Sequence, residues 1–261
     1  MRRSAARPTV DLTAYDLYLR AYPHWSSFEK DRILHALDLL GQAVELDPHY
    51  GPALALAAQC HHVLAVNDWT DDPEVNRRKG VDMARRALRL APDDPEVLAN
   101  AAAVLGLLGE DIEVAIGSID RSLALNPSFA RGWLWSSILR NVAGQPDLAI
   151  EHYKRSVRLS PRDRMGMFSV TLGAAYFYKR QFDDAATILL ASLQEAPSFA
   201  VIYRFLAACY AHMGQLAEAR EIIARLKAIT PVVIPSVIPL RNPEQRELFL
   251  SGLRLAAGDE T

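Results

Sequence analysis

Apolar residues recur along this chain in steps of three and four, in blocks that repeatedly stop just before a proline. Leu46-Asp47-Pro48, Leu90-Ala91-Pro92, Leu125-Asn126-Pro127, Leu159-Ser160-Pro161, Glu195-Ala196-Pro197 and Ile229-Thr230-Pro231 close such blocks, and the prolines are spaced by 44, 35, 34, 36 and 34 residues. Proline lacks an N–H and pushes the residue before it out of helical geometry, so each marks a helix end. Steps of three and four predict amphipathic helices, and no alternating stretch of strand length occurs. Between prolines the grammar repeats: Ala130 to Asn141, a turn at Gly144, then Leu148 to Leu159; and again Ala200 to His212, a turn at Gly214, then Leu216 to Ile229. Each period predicts two helices joined by a tight turn, and modules of this length hide their apolar faces by stacking.

Small residues stand where paired helices must approach closely. They are Ala58, Ala102, Ser137, Gly173 and Ala207 midway along each first helix, and Gly80, Ala115, Ala149, Ala185 and Ala219 near the start of each second helix. Ala87, Ser122, Ser156 and Ser192 follow farther along, with Leu226 breaking the series. One period carries Trp133, Ser136-Ser137, Gly144, Ala149, Tyr153, Ser156 and Pro161; the next carries Leu172-Gly173, Tyr176, Ala185, Leu189, Ser192 and Pro197. With Tyr203, Leu206-Ala207, Tyr210, Gly214, Ala219, Ile223 and Pro231 in the last, the chain resembles the tetratricopeptide repeat (TPR) family. The resemblance implies an all-α TPR solenoid, a right-handed superhelix of about six helix-turn-helix repeats with a C-terminal capping helix. It implies an arm over residues 1–10, a superhelix over 11–231, an extended proline-rich segment over 232–242 and the capping helix over 243–257. The repeat units fall at about 11–50, 51–94, 95–129, 130–165, 166–199 and 200–231.

Two units depart from the period. The 44-residue spacing places about ten extra residues in the second, and the polar run Asn67 to Glu74 is where they are expected. In the first, Tyr15 to Tyr22 reads as a helix, Pro23 to Ser27 as a loop and Phe28 to Leu46 as the second helix. At the far end, prolines four apart forbid helix, and Asn242-Pro243-Glu244 then opens one. Leu248, Leu250 and Leu253 are expected to face inward, and Arg246, Glu247, Ser251 and Arg254 outward. The opening Ala14-Tyr15-Asp16-Leu17-Tyr18-Leu19-Arg20 and the ending from Arg241 to Arg254 are similar to the C-terminal TPR regions of bacterial, rhizobial-type class III adenylate cyclases and related winged-helix regulators. That resemblance implies ancestry and pathway; with repeats beginning by Tyr15, no room is expected for a cyclase domain.

Composition narrows the chemistry. The 261 residues carry 29 basic and 31 acidic side chains, a formal charge of −2, and are 50% apolar. That fits a folded protein and lacks the basic surplus of a general nucleic-acid binder. No apolar run approaches the roughly 18 residues of a membrane span, and the basic start lacks the apolar stretch of a secretory signal. Cys60 and Cys209 build no disulfide framework, so a reducing cytoplasm is expected.

Cys60-His61-His62, with Asp68, Asp71 and Asp72 nearby, suggests a metal site, but adjacent helical residues point in different directions and a packing role is expected. No nucleophile elbow is present, and Gly106, Gly109 and Gly117 lack the following Lys-Ser or Lys-Thr of a phosphate loop. No enzyme, cofactor or metal is expected. Family register places Asn100, Ala103, Arg131, Leu134, Trp135, Ile138, Asn141, Phe177, Tyr178, Arg204 and His212 along the concave groove that partner peptides occupy. Arg131 and Arg204 could take carboxylates through paired hydrogen bonds, and Trp135, Phe177 and Tyr178 offer anchor area unless they fill space between repeats. The carboxylate clamp of chaperone-binding repeats is matched at Asn100 and Arg131 but not at Ala55, Gln59 and Trp135. The expected function is a non-catalytic scaffold that binds a peptide or protein in the groove, with no direct nucleic-acid contact and no membrane insertion. The alternatives are a regulatory module of a cyclase or transcriptional regulator system and a small-molecule sensor.

Overall fold

The computed structural model describes residues 12–27, 29–161, 169–235 and 238–258; the arm expected over 1–10, Phe28 and the start of the 166–199 unit lie outside them. Among the described residues there are thirteen α-helices and no strand. They are α1 (Leu12–Trp25), α2 (Lys30–Leu46), α3 (Gly51–Val66), α4 (Pro73–Leu90), α5 (Pro95–Leu107), α6 (Ile112–Leu125), α7 (Ala130–Val142), α8 (Pro146–Leu159), α9 (Val170–Tyr178), α10 (Phe182–Glu195), α11 (Ala200–His212), α12 (Leu216–Lys227) and α13 (Pro243–Ala257). The chain divides into two units, Met1–Ala65 with Trp69–Ser136, and Val66–Asp68 with Ser137–Thr261.

Local chemistry sets the helix ends. Asp47, Ala91, Asn126, Ser160 and Ala196 cap α2, α4, α6, α8 and α10, each donating its N–H to the carbonyl four residues back and each directly preceding a proline. The α12 helix stops earlier, at Lys227 rather than Ile229. Asp72, Asp94, Asp111 and Asn242 accept first-turn N–H groups of α4, α5, α6 and α13, meeting donors a helix cannot satisfy itself.

The turn inside five of the hairpins also recurs. Asp68, Gly109, Gly144, Arg180 and Gly214 have φ of 54°, 93°, 84°, 59° and 78°. The following N–H in each case reaches the carbonyl five residues back: Trp69 to Leu64, Glu110 to Leu105, Gln145 to Arg140, Gln181 to Tyr176 and Gln215 to Tyr210. This left-handed helix stop favours glycine, which has no Cβ to clash, so two of the five turns are built from unfavourable residues.

The small residues sit at the helix crossings. Ala58, Ala102, Ser137, Ala207, Ala149, Ala185 and Ala219 have no exposed surface. A Cβ on Gly173 would lie 2.8 Å from Leu189, and one on Gly80 would lie 3.0 Å from Leu108 and 3.1 Å from His61. At two such places a serine hydroxyl donates to a carbonyl of the facing helix, Ser122 to Pro95 and Ser137 to Ala149, each at 2.6 Å. The apolar contact is kept and the hydroxyl is not orphaned.

Two expectations need correction. The first helix continues through Pro23 to Trp25: a proline in the last turn removes a single N–H bond, and the buried Trp25 side chain holds the turn in place. The extra length of the second repeat goes mostly into its helices, since α3 and α4 have 16 and 18 residues against 13 and 14 for α5 and α6.

What remains of the inserted loop is an anchor in the second unit. Asn67 accepts the N–H of Ala200 at the start of α11. Arg204, 2% exposed, donates through Nη1 to Val66 O (2.9 Å), through Nη2 to Asp68 Oδ2 and Val232 O (both 2.8 Å), and through Nε to Val233 O (3.1 Å). One guanidinium thus ties the inserted loop, α11 and the proline-rich segment together, and planar multidentate donation suits arginine and not lysine. Burial pulls its pKa below the usual range and the Asp68 carboxylate opposes that pull.

These two left-handed residues give a paired prediction. Arg180→Gly should raise stability by about 1 kcal/mol by removing Cβ strain. Asp68→Gly removes the same strain but should lower stability by about 3 kcal/mol, because it leaves a buried guanidinium uncompensated. Urea denaturation followed by circular dichroism checks both signs; a stabilised Asp68→Gly protein would refute the role given to the ion pair.

Candidate functional site

In the first unit the face made by α3, α5 and α7 is stitched by amides. Gln59 Nε2 donates to Asn100 O (2.8 Å), and Trp135 Nε1 donates to Asn100 Oδ1 (3.0 Å). Gln59, Asn100 and Trp135 are all buried, as is Leu134. Trp135 and Asn100 therefore join neighbouring repeats, which is the space-filling reading of that tryptophan. Arg131 lies over the rings of Tyr22 and Trp25, 4.9 and 5.3 Å from their centroids, a cation–π contact. Tyr18 completes the arrangement: its hydroxyl donates to Glu96 (3.2 Å) and its ring stands edge-on to Tyr50 (5.5 Å). The α1 helix thus touches the starts of α3, α5 and α7. Burial raises the Glu96 pKa while the Tyr18 hydroxyl lowers it, and burial raises that of Tyr18.

In the second unit the corresponding face is aromatic. Phe177, fully buried, has the rings of Tyr178, Phe182, Phe205 and His212 within 5.8 Å and that of Phe249 at 6.4 Å. His212 stacks on Phe182 at 5.1 Å, and Phe249 packs on Phe205 at 4.7 Å. Asn141 donates through Nδ2 to Thr171 O (2.8 Å) while its buried Oδ1 has no donor.

The C-terminal helix lies on this face. Its buried stripe is Gln245, Leu248, Phe249, Gly252, Leu253 and Ala256. His212 Nε2 meets Leu248 O at 2.8 Å, and a Cβ on Gly252 would lie 2.8 Å from Ala208 Cβ. Ahead of the helix, Arg241 N–H donates to Val142 O (2.9 Å), and Asn242 packs on Gly144. The helix packs on α11 and α12, its Phe249 ring reaches Phe177 of α9, and the residues ahead of it meet the α7–α8 turn. Phe249, not Leu250, faces inward, as the helical step from Gln245 requires.

The structure thus brings Asn100, Leu134 and Trp135 together in one unit, and Asn141, Phe177 and Arg204 into the interior of the other. Arg204, expected to meet a partner's carboxylate, meets the chain's own Asp68 because the inserted loop delivers it. Arg131, Ile138, Tyr178 and His212 remain half-buried. The sequence pointed to Asp68 only beside a metal candidate and not as the partner of Arg204, and it did not single out Phe205, Ala208 or Phe249; for the last, the helical step was an available signal. The Cys60-His61-His62 run is packed away. His61 Nδ1 meets Asn76 Oδ1 at 2.7 Å, the Cys60 and His62 side chains are buried, and no group of three or more His, Cys, Asp or Glu suited to a metal occurs among the described residues. Among the same residues no helix is long and apolar enough to cross a membrane.

The TPR family matches this sequence twice, over residues 108–164 and 176–232. The hairpins within these two stretches match the tetratricopeptide repeat. Solved structures resemble it in fold. A chain of the APC/C hetero-tetramer Cut9–Hcn1 is 19% identical with a TM-score of 0.60, over 93% of this chain and 45% of that one. Human IFIT1, solved as a dimer with m7Gppp-AAAA, is 19% identical with a TM-score of 0.66, over 84% of this chain and 51% of that one. A TPR protein from Parabacteroides merdae is 15% identical with a TM-score of 0.50, over 95% and 88%. The chain spans about half the length of the first two. No curated protein matches the sequence significantly. TPRs generally mediate contacts between proteins, and nothing in these likenesses shows catalysis.

Burial gives the first unit a pH dependence. His62 is pulled from 6.5 down to about 4 by desolvation, and His61 is lowered by the same cause. The unfolded chain takes up these protons near pH 6.5 and the folded chain does not until lower pH. The stabilisation is therefore complete above pH 6.5 and lost as pH falls towards 4, by about 3 kcal/mol for His62. His62→Leu should flatten the decline in urea stability between pH 6.5 and 4; an unchanged slope would show that His62 is not held neutral.

Proposed function

We propose that this TPR chain is a non-catalytic scaffold that holds another polypeptide against the faces formed by its first helices, in the cytoplasm. The observation that carries this reading is that the α9–α11 face takes a helix by aromatic packing together with a hydrogen bond to its backbone, which is how a protein surface receives a polypeptide. Side chains of the expected groove that keep exposed surface, Arg131, Ile138, Tyr178 and His212, are the contacts assigned to the partner. Asn100, Leu134, Trp135, Asn141, Phe177 and Arg204 frame them from within. A preorganised framework of this kind spares the complex much of the ordering loss. The near-neutral charge favours a protein over a nucleic acid, and two buried free thiols fit a reducing compartment.

A finer reading, a regulatory module of a class III adenylate cyclase or winged-helix regulator, rests on the Ala14–Arg20 and Arg241–Arg254 patterns, and a reading frame or neighbouring gene encoding such a domain would support it.

Affinity purification with the wild-type chain and with Arg131→Glu and Ile138→Glu, read by mass spectrometry, tests the scaffold. A polypeptide held by wild type should be reduced at least tenfold by one of the two substitutions in protein whose circular dichroism is unchanged. Equal recovery from all three would move the site to another surface.

A further inference from the structure

The outward face of α1 is apolar along most of its length. Leu12, Tyr15 and Leu19 recur in steps of three and four and are 82%, 46% and 48% exposed. Ala14, Leu17, Tyr18, Ala21 and Trp25 turn the opposite face of the same helix inward. Pro23, also exposed, continues the outward stripe by one more turn. Among the described residues no other helix sets three exposed large apolar side chains on one face at such steps. Contiguous apolar surface of this kind marks a contact with another molecule.

One ion pair set into the stripe says which molecule. Asp16 and Arg20, one turn apart and both largely exposed, stand 3.6 Å from each other. An exposed pair at this spacing contributes little to its own helix, but it gives the face a negative end and a positive end. An identical face laid antiparallel meets both at once, Asp16 of each copy against the partner's Arg20, whereas a parallel copy would level like charge with like. We propose that the outward face of α1 is a self-association surface, on which α1 of a second copy of this chain packs antiparallel. The two-fold axis then crosses α1 at the level of Tyr18, midway between the two charges. It sets Leu19 beside the partner's Leu19 and Leu12 beside the partner's Pro23, so every contact is made twice, as a closed symmetric pair requires. With 14 residues, α1 is about 21 Å long. A single helix face of that length buries less than the roughly 1,200 Å² typical of stable complexes, so the dimer depends on concentration. The pairing is independent of the scaffold reading, which concerns other faces of the chain.

Equilibrium sedimentation of the full chain from about 1 to 200 μM tests it, and should show monomer and dimer in exchange with a Kd on the order of 10 μM. Leu19→Glu should weaken the dimer at least about tenfold by setting two carboxylates beside the axis, in protein whose circular dichroism is unchanged. Asp16→Arg and Arg20→Asp should each do the same, because each leaves like charges opposite one another. An equal mixture of the Asp16→Arg and Arg20→Asp chains should recover a dimer within about threefold of the wild-type Kd, since each supplies the charge the other lacks. Should Leu19→Glu disturb the helix, the mixture decides alone. A wild-type chain that stays monomeric throughout overturns the proposal, as does a dimer that survives Leu19→Glu or charge variants that do not recombine. A monomer that captures another protein and loses it on Leu19→Glu assigns the stripe to a foreign partner and overturns the second copy.

Discussion

Packed helices can share a buried interface only where one of them carries a small residue at their crossing. Gly173 against Leu189, Gly80 against Leu108 and His61, and the wholly buried alanines and serines of the other hairpins meet that condition. Because native interiors pack like crystals, one added carbon at such a point has to displace the side chain packed against it, Leu189 at Gly173 and Leu108 or His61 at Gly80. The spacing of the helices follows from these contacts. So does the alignment of the first helices, and with it the existence of a face on which another helix can lie.

A second condition acts on the polar groups that stacking buries. The Asn100 amide, the Ser137 hydroxyl and the Arg204 guanidinium each find acceptors or donors on a different element from their own. In a buried setting these bonds act as register marks, since a shift of one helix by a turn would strand every one of them at once. Arg204 is the strongest case. Its acceptors are the last carbonyl of α3, the Asp68 carboxylate just after it and two carbonyls of the proline-rich segment, so it fixes loops that apolar packing alone would leave loose.

Much of this was legible in the sequence. The prolines after Asp47, Ala91, Asn126, Ser160 and Ala196 mark helix ends because their chemistry is local, and Gly144 and Gly214 mark turns for the same reason. Asp68 and Arg180 adopt the same left-handed turn with residues that carry no such signal. Pro23 ends no helix because a side chain two residues on is buried, a tertiary effect that outweighs a local preference. Helical register identified the face that would receive a polypeptide but not what already lies on it. The Arg204 partners stand 136 and 28 residues away in the chain, and no local pattern encodes such pairings.

Stacked repeats usually touch only their neighbours, so they can acquire order progressively from either end. The packing of Tyr22 and Trp25 under Arg131 breaks that locality. During synthesis at roughly 5–20 residues per second, several seconds separate the emergence of these two aromatic rings from that of the cation that covers them. The α1 helix therefore settles only once α7 has emerged, and its rings are the surface that a chaperone would meet on the nascent chain.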